Sequence, residues 1–238
     1  MEIPSIPSIV VAAIMPITGL AYLVFYTLYW PGLVEFFAGI FLLIIFFAAW
    51  TVLMIKFGKA TKSASLRTTD FAVIAVFAAI FIIADWASMM LPGPLVYVPV
   101  TIAFTSSFPQ GIIMAALLKI VPKPGTALTY VIGHTILGAV VAGTPNPLWF
   151  PFSILSAVAL EAYYLTSKRG TLSSLLLLGF SFGIFSYAIG GALFPFAVWQ
   201  YWQPLLWTFP VAILSGITMA IGSSIGYAIG SRAVRVTL

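Results

Sequence analysis

The chain has 238 residues, of which 62% are hydrophobic and only 6% are charged. Soluble domains carry about 25% charged residues, so the composition excludes a water-facing globular surface and predicts an all-α polytopic membrane protein. The apolar runs are continuous over roughly 20 residues and do not alternate as membrane β-strands do. The chain contains no cysteine, so neither a disulfide framework nor a thiolate metal site is expected.

About eight membrane-spanning segments are predicted, each long enough for a hydrocarbon core of roughly 30 Å. Proline, glycine and polar stretches separate them. No basic stretch precedes the first segment, so we expect a retained helix rather than a cleaved signal. The predicted segments are 8–29, 33–56, 70–91, 95–121, 126–143, 148–166, 171–194 and 204–230.

The basic residues predict the orientation of the chain. With eight spans, all of them lie at or just after the end of an even-numbered segment and fall on one side, which the positive-inside rule makes cytoplasmic, together with both termini. The net charge of +5 is thereby explained as an orientation signal in a multi-pass protein of the cell membrane, and no nucleic-acid partner is expected. These residues are Lys56, Lys59, Lys62, Arg67, Lys119, Lys123, Lys168, Arg169, Arg232 and Arg235.

The first two segments stand apart from the others because a polar linker follows them. We interpret residues 1–65 as a transmembrane hairpin with a cytoplasmic linker, and residues 66–238 as a six-helix substrate-binding module. Glycines at four-residue spacing in the last two segments predict close helix packing within the chain. They are Gly179, Gly183, Gly222, Gly226 and Gly230.

The third segment carries an acidic residue, Asp85, about 22 Å beyond Asp70 at 1.5 Å per residue. That distance places it in the outer third of the membrane. A carboxylate at such a depth costs on the order of 2–4 kcal/mol, so it marks either a functional site or a structural hydrogen bond to a neighbouring helix.

Pro109 interrupts the fourth segment near its middle, where it removes one backbone hydrogen bond and clashes with the carbonyl group of Thr105. Ser106, Ser107 and Gln110 beside it supply hydrogen-bond donors and acceptors. Interrupted helices of this kind line transporter binding sites. A proline kink whose backbone is satisfied by serine hydroxyls is the structural alternative.

His134 is the only histidine and falls about 12 Å into the fifth segment. A lone histidine excludes bis-histidine haem ligation, and the acidic residues lie at different depths, so neither a metal nor another cofactor is expected. His134 either contacts a ligand or makes a structural hydrogen bond. Glu161, near the inner end of the sixth segment, is expected to pair with Lys168 or Arg169. No enzyme motif is present, and we do not expect an enzyme.

We predict that Asp85, Trp86, Gln110 and His134 converge on one pocket beneath the outer loops. Those loops lack basic residues and are rich in aromatic and amide side chains, although an interfacial aromatic belt has the same composition. These predicted pocket residues suit a flat nitrogen heterocycle, because an aromatic ring can stack on it and polar groups can hydrogen-bond to its nitrogen atoms. The predicted members from the outer loops are Asn146, Trp149, Trp199 and Gln200.

Three alanines of the third segment, Ala72, Ala75 and Ala79, fall within about 60° on a helical wheel at 100° per residue. Small residues let another helix approach closely. The face therefore packs either within this chain or against a partner subunit.

Three stretches resemble the substrate-binding membrane subunits, or S components, of energy-coupling-factor vitamin importers. Residues 66–70 (LRTTD), which lead into an alanine-rich helix, resemble the start of such subunits. Residues 123–128 (KPGTAL) are similar to an element of the YkoE-like branch. The ending, from ILSG at 213–216 to GYAIGSR at 226–232, is similar to the last helix of the family, and the resemblance covers about 66–235.

This resemblance implies a small-molecule binder with an outward-facing pocket. Its implied partners are a coupling transmembrane protein, on which small residues of the module's first helix dock, and two ATPase subunits. The YkoE-like branch implies a thiamin precursor such as hydroxymethylpyrimidine. The alternative is a non-catalytic integral membrane subunit of a larger assembly, for example a respiratory complex, in which polar residues hold helices together.

Overall fold

A computed structural model of the chain describes residues 4–28, 33–58, 65–89, 101, 103–142, 149–194 and 205–237. Within these ranges the chain forms eight α-helices and one π-helical segment, Ala103–Ser107, and no strand. The helices are α1 (Ile6–Leu28), α2 (Leu33–Gly58), α3 (Thr68–Met89), α4 (Phe108–Ile120), α5 (Thr126–Ala142), α6 (Trp149–Thr166), α7 (Leu172–Phe194) and α8 (Leu205–Thr237).

Six of the described helical stretches are long and apolar enough to cross a membrane. They are Ile6–Phe25, Ala38–Phe57, Thr68–Asp85, Ala103–Ile120, Leu172–Gly190 and Thr208–Arg235. Two shorter apolar helices, Thr126–Val141 and Phe150–Thr166, complete the set. The prediction of an all-helical protein with several membrane-spanning helices is therefore confirmed.

Helix α8 packs closely against both α4 and α7, and glycines make these contacts possible. A methyl group added at Gly222 or Gly226 would collide with the backbone carbonyl groups of Phe108 and Ile112 on α4. On the other side of α8, an atom at the Cβ position of Gly183 would lie 2.6 Å from the carbonyl oxygen of Ser215. The predicted glycine packing within the chain is confirmed.

This packing predicts opposite outcomes for two glycine-to-alanine substitutions. Gly226→Ala forces α4 and α8 apart and should destabilise the protein by about 1–3 kcal/mol, as over-packing does. Gly133→Ala, on α5, is the matched control because an added Cβ meets nothing within 4 Å. It should be neutral or stabilising by up to about 1 kcal/mol, because alanine favours helix. Thermal unfolding of the purified variants measures both, and equal melting temperatures would contradict the packing argument.

Helices α1 and α2 pack mainly on other helices rather than on each other. The main contacts of α1 are with α7, and those of α2 are with α6. One buried cluster joins these helices. It contains Met15 and Tyr22 of α1, Trp50 of α2, Leu155 of α6 and Phe185 of α7. The division of the chain at residue 65 stays a prediction, and described helices on both sides of it share this cluster.

One end of the bundle, which we call the basic end, joins several helix termini. The Ser5 hydroxyl donates a hydrogen bond to the carbonyl oxygen of Thr166 at 2.7 Å, linking the start of α1 to the end of α6. The Lys119 ammonium donates to the carbonyl oxygen of Gly170 at 3.0 Å, linking α4 to the α6–α7 turn. Gly230 of α8 packs against the Lys119 side chain. The ends of α4, α6 and α8 and the start of α1 therefore lie together.

The turn between α4 and α5 is held at the same end by two carboxylates. Asp70, in the first turn of α3, forms an ion pair with Lys123. Glu161 of α6 is only 3% exposed and accepts hydrogen bonds from the backbone N–H groups of Gly125 at 2.7 Å and Leu128 at 3.2 Å. Gly125 has a φ of +86°, a backbone conformation that favours glycine.

Backbone N–H groups, rather than the predicted Lys168 or Arg169, hydrogen-bond to Glu161, although Arg169 interacts with its carboxylate electrostatically. The Glu161 carboxylate binds the N-terminus of α5, where the first N–H groups of the helix lack intrahelical partners and carry partial positive charge. Spacing along α6 suggested partners on the same helix, whereas the observed partners belong to another helix.

Candidate functional site

The interruption predicted at Pro109 is present as the π-helical segment that precedes α4. Proline lacks an N–H group, so the regular α-helical ladder cannot continue through it. Thr218 of α8 donates a hydrogen bond to the carbonyl oxygen of Ala103 at 2.8 Å and thereby anchors the start of this segment. A threonine from a neighbouring helix, rather than the adjacent serines, satisfies this part of the loosened backbone.

Three aromatic rings lie together where α3 meets α5. The His134 ring packs edge-on against Phe81, with centroids 5.0 Å apart and an interplanar angle of 74°. It also lies 5.3 Å from the ring of Tyr130, which in turn lies 6.3 Å from Phe81. Nδ1 of His134 is 3.2 Å from the carbonyl oxygen of Tyr130. A carbonyl only accepts, so this bond puts the proton on Nδ1 and leaves Nε2 of the neutral ring as an acceptor.

Asp85 follows Phe81 by four residues and therefore lies one turn further along the same face of α3. The Ser106 side chain, from the π-helical segment, hydrogen-bonds to the Asp85 carboxyl group. The same carboxyl group is close enough to the Tyr130 hydroxyl to interact with it electrostatically. Three elements thus bring polar groups together, and we call Phe81, Asp85, Ser106, Tyr130 and His134 the Asp85 cluster.

The Tyr130 hydroxyl is the unsatisfied group of this cluster. The residue is 1% exposed, and its oxygen makes no hydrogen bond within the part of the chain that the structure describes. Burying a hydroxyl without a partner costs about 1–3 kcal/mol. A bound molecule that pairs with this hydroxyl would recover that free energy.

The structure brings together two of the predicted pocket residues. Asp85 and His134 both belong to the Asp85 cluster. His134 packs against the rings of Phe81 and Tyr130, and Asp85 interacts electrostatically with the Tyr130 hydroxyl. Gln110 lies partly buried in the first turn of α4, and its side chain makes no hydrogen bond to the cluster. The remaining predicted members cannot be compared, because the side chains of Trp86 and Trp149, and the whole of Asn146, Trp199 and Gln200, lie outside the described parts.

Sequence reasoning missed Phe81 and Tyr130. Phe81 precedes Asp85 by four residues, and Tyr130 precedes His134 by four residues. Four-residue spacing places two side chains on one face of a helix, so this was the available signal. Because buried aromatic residues are common in apolar helices, this spacing alone does not identify a site until the tertiary contacts are known.

The alanine face of α3 is open. Ala72, Ala75 and Ala79 are all exposed, whereas Ile74 and Ala78, whose mean direction lies about 110° further round the helix, are buried. Among the described residues, therefore, this face is not covered by another helix of the chain.

The Asp85 cluster combines polar groups with aromatic rings. It offers a carboxyl group, a hydroxyl group and an imidazole acceptor next to aromatic ring edges. No group of three or more His, Cys, Asp or Glu side chains able to hold a metal ion occurs in the described ranges. No protein-family model, no curated protein and no solved structure matches the chain.

Proposed function

We propose that this chain is the membrane-embedded, solute-binding subunit of an importer, of the S-component type, and that it works with a coupling transmembrane protein and ATPase subunits. The observation that carries the proposal is the Tyr130 hydroxyl, which is buried and unsatisfied beside Asp85 and Ser106. A polar cluster next to an interrupted helix at membrane depth is the usual setting of a transporter binding site.

The chemistry of the cluster favours a small nitrogen heterocycle, such as a thiamin-precursor-like pyrimidine. The Asp85 carboxyl group would accept a hydrogen bond from an exocyclic amino group, and the Tyr130 hydroxyl would donate one to a ring nitrogen. The rings of Phe81 and His134 would pack against the heterocycle for about 0.5–1.5 kcal/mol. Trp86, Gln110, Asn146, Trp149, Trp199 and Gln200 remain the predicted members of the pocket on its outer side.

Gentle purification of the full chain followed by native mass spectrometry tests this function. We expect a bound small molecule, with coupling and ATPase subunits in the same complex. Copurification with haem- or quinone-bearing subunits and no solute would instead support the structural subunit of a larger assembly.

We further propose eight spans in the cell membrane, with both termini cytoplasmic. The contacts that gather the ends of α4, α6 and α8 at the basic end support this count, because three even-numbered helices then end on one side. The natural chain has no cysteine, so single cysteines can be labelled without background. Cysteines at Lys62 and Asn146 should react from opposite sides of the membrane, and labelling of both from outside would refute the topology.

The coupling protein would dock on the open alanine face of α3. Ala75→Leu and Ala79→Leu should therefore abolish copurification of the coupling protein while leaving the retained solute unchanged, because a bulky side chain prevents close helix approach. Ala48→Leu is the matched control, since Ala48 is an exposed alanine on α2. Unchanged copurification in all three variants would refute the docking face.

A further inference from the structure

We propose that the basic end carries a binding site for the phosphate group of an anionic phospholipid, between the end of α4, the α6–α7 turn and the last turns of α8. This site is separate from the Asp85 cluster and does not depend on the importer function. Its members are Lys119, Arg169 and Ser231, with Arg232 beside them on α8.

Helix register brings these residues to one place. Helices α7 and α8 are antiparallel, because Gly183 contacts Ser215 and Gly216 whereas the earlier Gly179 contacts Met219 and Ser223. Residues nearer the N-terminus of α7 therefore contact residues nearer the C-terminus of α8. Continuing this register past the start of α7 brings the α6–α7 turn opposite the segment of α8 that follows Tyr227.

Lys119 enters the same place from α4. Its ammonium group lies 4.8 Å from the centroid of the Tyr227 ring and donates one hydrogen bond, to the Gly170 carbonyl oxygen. An ammonium group has three N–H donors, so donors remain for an anion. Gly230 packs against the Lys119 side chain, which fixes the last turns of α8 beside it.

Ser231 is the observation that points to a ligand. It follows Tyr227 by four residues and so lies one turn further along the same face of α8, and its neighbour Gly230 packs on the Lys119 side chain. Its hydroxyl oxygen is buried, yet it hydrogen-bonds to no atom of the described chain. A hydroxyl group without a partner, in the same turns of α8 that contact a lysine side chain, matches the donor set that binds phosphate oxygens.

Arg169, in the α6–α7 turn, adds a second cation at this end of the bundle. Its guanidinium carbon lies 6.0 Å from the centroid of the Tyr164 ring, and it immediately precedes Gly170, which binds Lys119. Neither cation forms an ion pair with the two described carboxylates at this end: Asp70 pairs with Lys123, and Glu161, which interacts with Arg169 electrostatically, binds backbone N–H groups. The positive charge of Lys119 and Arg169 therefore has no carboxylate in hydrogen-bonding contact among the described residues.

The position of the site favours a lipid over a free anion. It lies at the end of helices that are apolar enough to span a membrane, where basic side chains attract anionic headgroups.

Native mass spectrometry of the full chain, titrated with phosphatidylglycerol and with phosphatidylcholine of identical acyl chains, tests the proposal. We expect phosphatidylglycerol to bind about tenfold more tightly, as charge-assisted hydrogen bonds would require. Arg169→Gln should remove most of this preference, and Ser231→Ala, which deletes a single oxygen atom, should weaken phosphatidylglycerol binding by about three- to tenfold. Arg67→Gln is the control, since it removes one positive charge near the start of α3.

Three results would overturn the site. Equal affinity for the two lipids excludes a phosphate site with charge selectivity, because phosphatidylcholine carries no net charge. An equal loss for Arg67→Gln and Arg169→Gln means diffuse attraction rather than a defined site. Displacement of phosphatidylglycerol by excess inorganic phosphate means that a free anion is the natural occupant, whereas retention of the lipid supports the proposal.

Discussion

Glu161→Ala should destabilise the purified protein by about 2–4 kcal/mol, because each hydrogen bond to a charged group contributes about 1.5–3 kcal/mol. The substitution removes the acceptor for the N–H groups of Gly125 and Leu128 at the start of α5. For a chain of this size, 1 kcal/mol corresponds to roughly 2–4 °C, so the melting temperature should fall by about 5–15 °C. Thermal unfolding followed by circular dichroism in detergent measures the change.

Two further variants separate this explanation from the ion pair that the sequence suggests. Glu161→Gln keeps one carbonyl acceptor, so its melting temperature should lie between those of the parent and Glu161→Ala. Arg169→Gln should leave the melting temperature almost unchanged, because the Glu161 carboxylate binds backbone N–H groups. If Arg169→Gln destabilised the protein as much as Glu161→Ala does, a charge pair would be the better account.

The helices themselves could be predicted because continuous apolar runs in a chain with so little charge leave few other structures. The third segment was predicted at 70–91, and α3 spans Thr68–Met89. The start at Thr68 reflects Asp70, whose carboxylate accepts a hydrogen bond from the Arg67 backbone N–H at 2.6 Å, so the first turn is capped earlier than hydropathy indicates. Hydropathy locates an apolar run, whereas a helix end depends on where its N–H groups find acceptors.

The candidate site could be predicted only in part, because a sequence gives depth along each helix but not rotation about it. Asp85 and His134 were recognised as costly polar groups in apolar segments, and both belong to the cluster. Their connection through Phe81 and Tyr130 depends on how α3 faces α5. The same limit explains Glu161, whose binding to the start of α5 requires the contact between α5 and α6.

If the Asp85 cluster binds the solute, two tyrosine-to-phenylalanine variants should have opposite effects. The Tyr130 hydroxyl has no partner within the described residues, so Tyr130→Phe should leave thermal stability unchanged or higher. The Tyr163 hydroxyl donates to the Ser174 carbonyl oxygen at 2.9 Å, so Tyr163→Phe should cost about 1 kcal/mol of stability. Solute binding should show the reverse order: the affinity for the copurified solute should fall about tenfold in Tyr130→Phe and stay unchanged in Tyr163→Phe.

Asp85→Asn and His134→Ala extend the test to the other polar groups of the cluster. Asparagine keeps the shape and one acceptor oxygen but cannot carry a negative charge, so a solute held through its amino group should bind about ten- to a hundredfold more weakly. Alanine at 134 removes both the Nε2 acceptor and a ring that packs on Phe81. Native mass spectrometry across a dilution series gives the affinities. Parent-like retention in Tyr130→Phe, Asp85→Asn and His134→Ala would show that these groups hold helices together, because a binding site cannot lose three of its contacts without losing affinity.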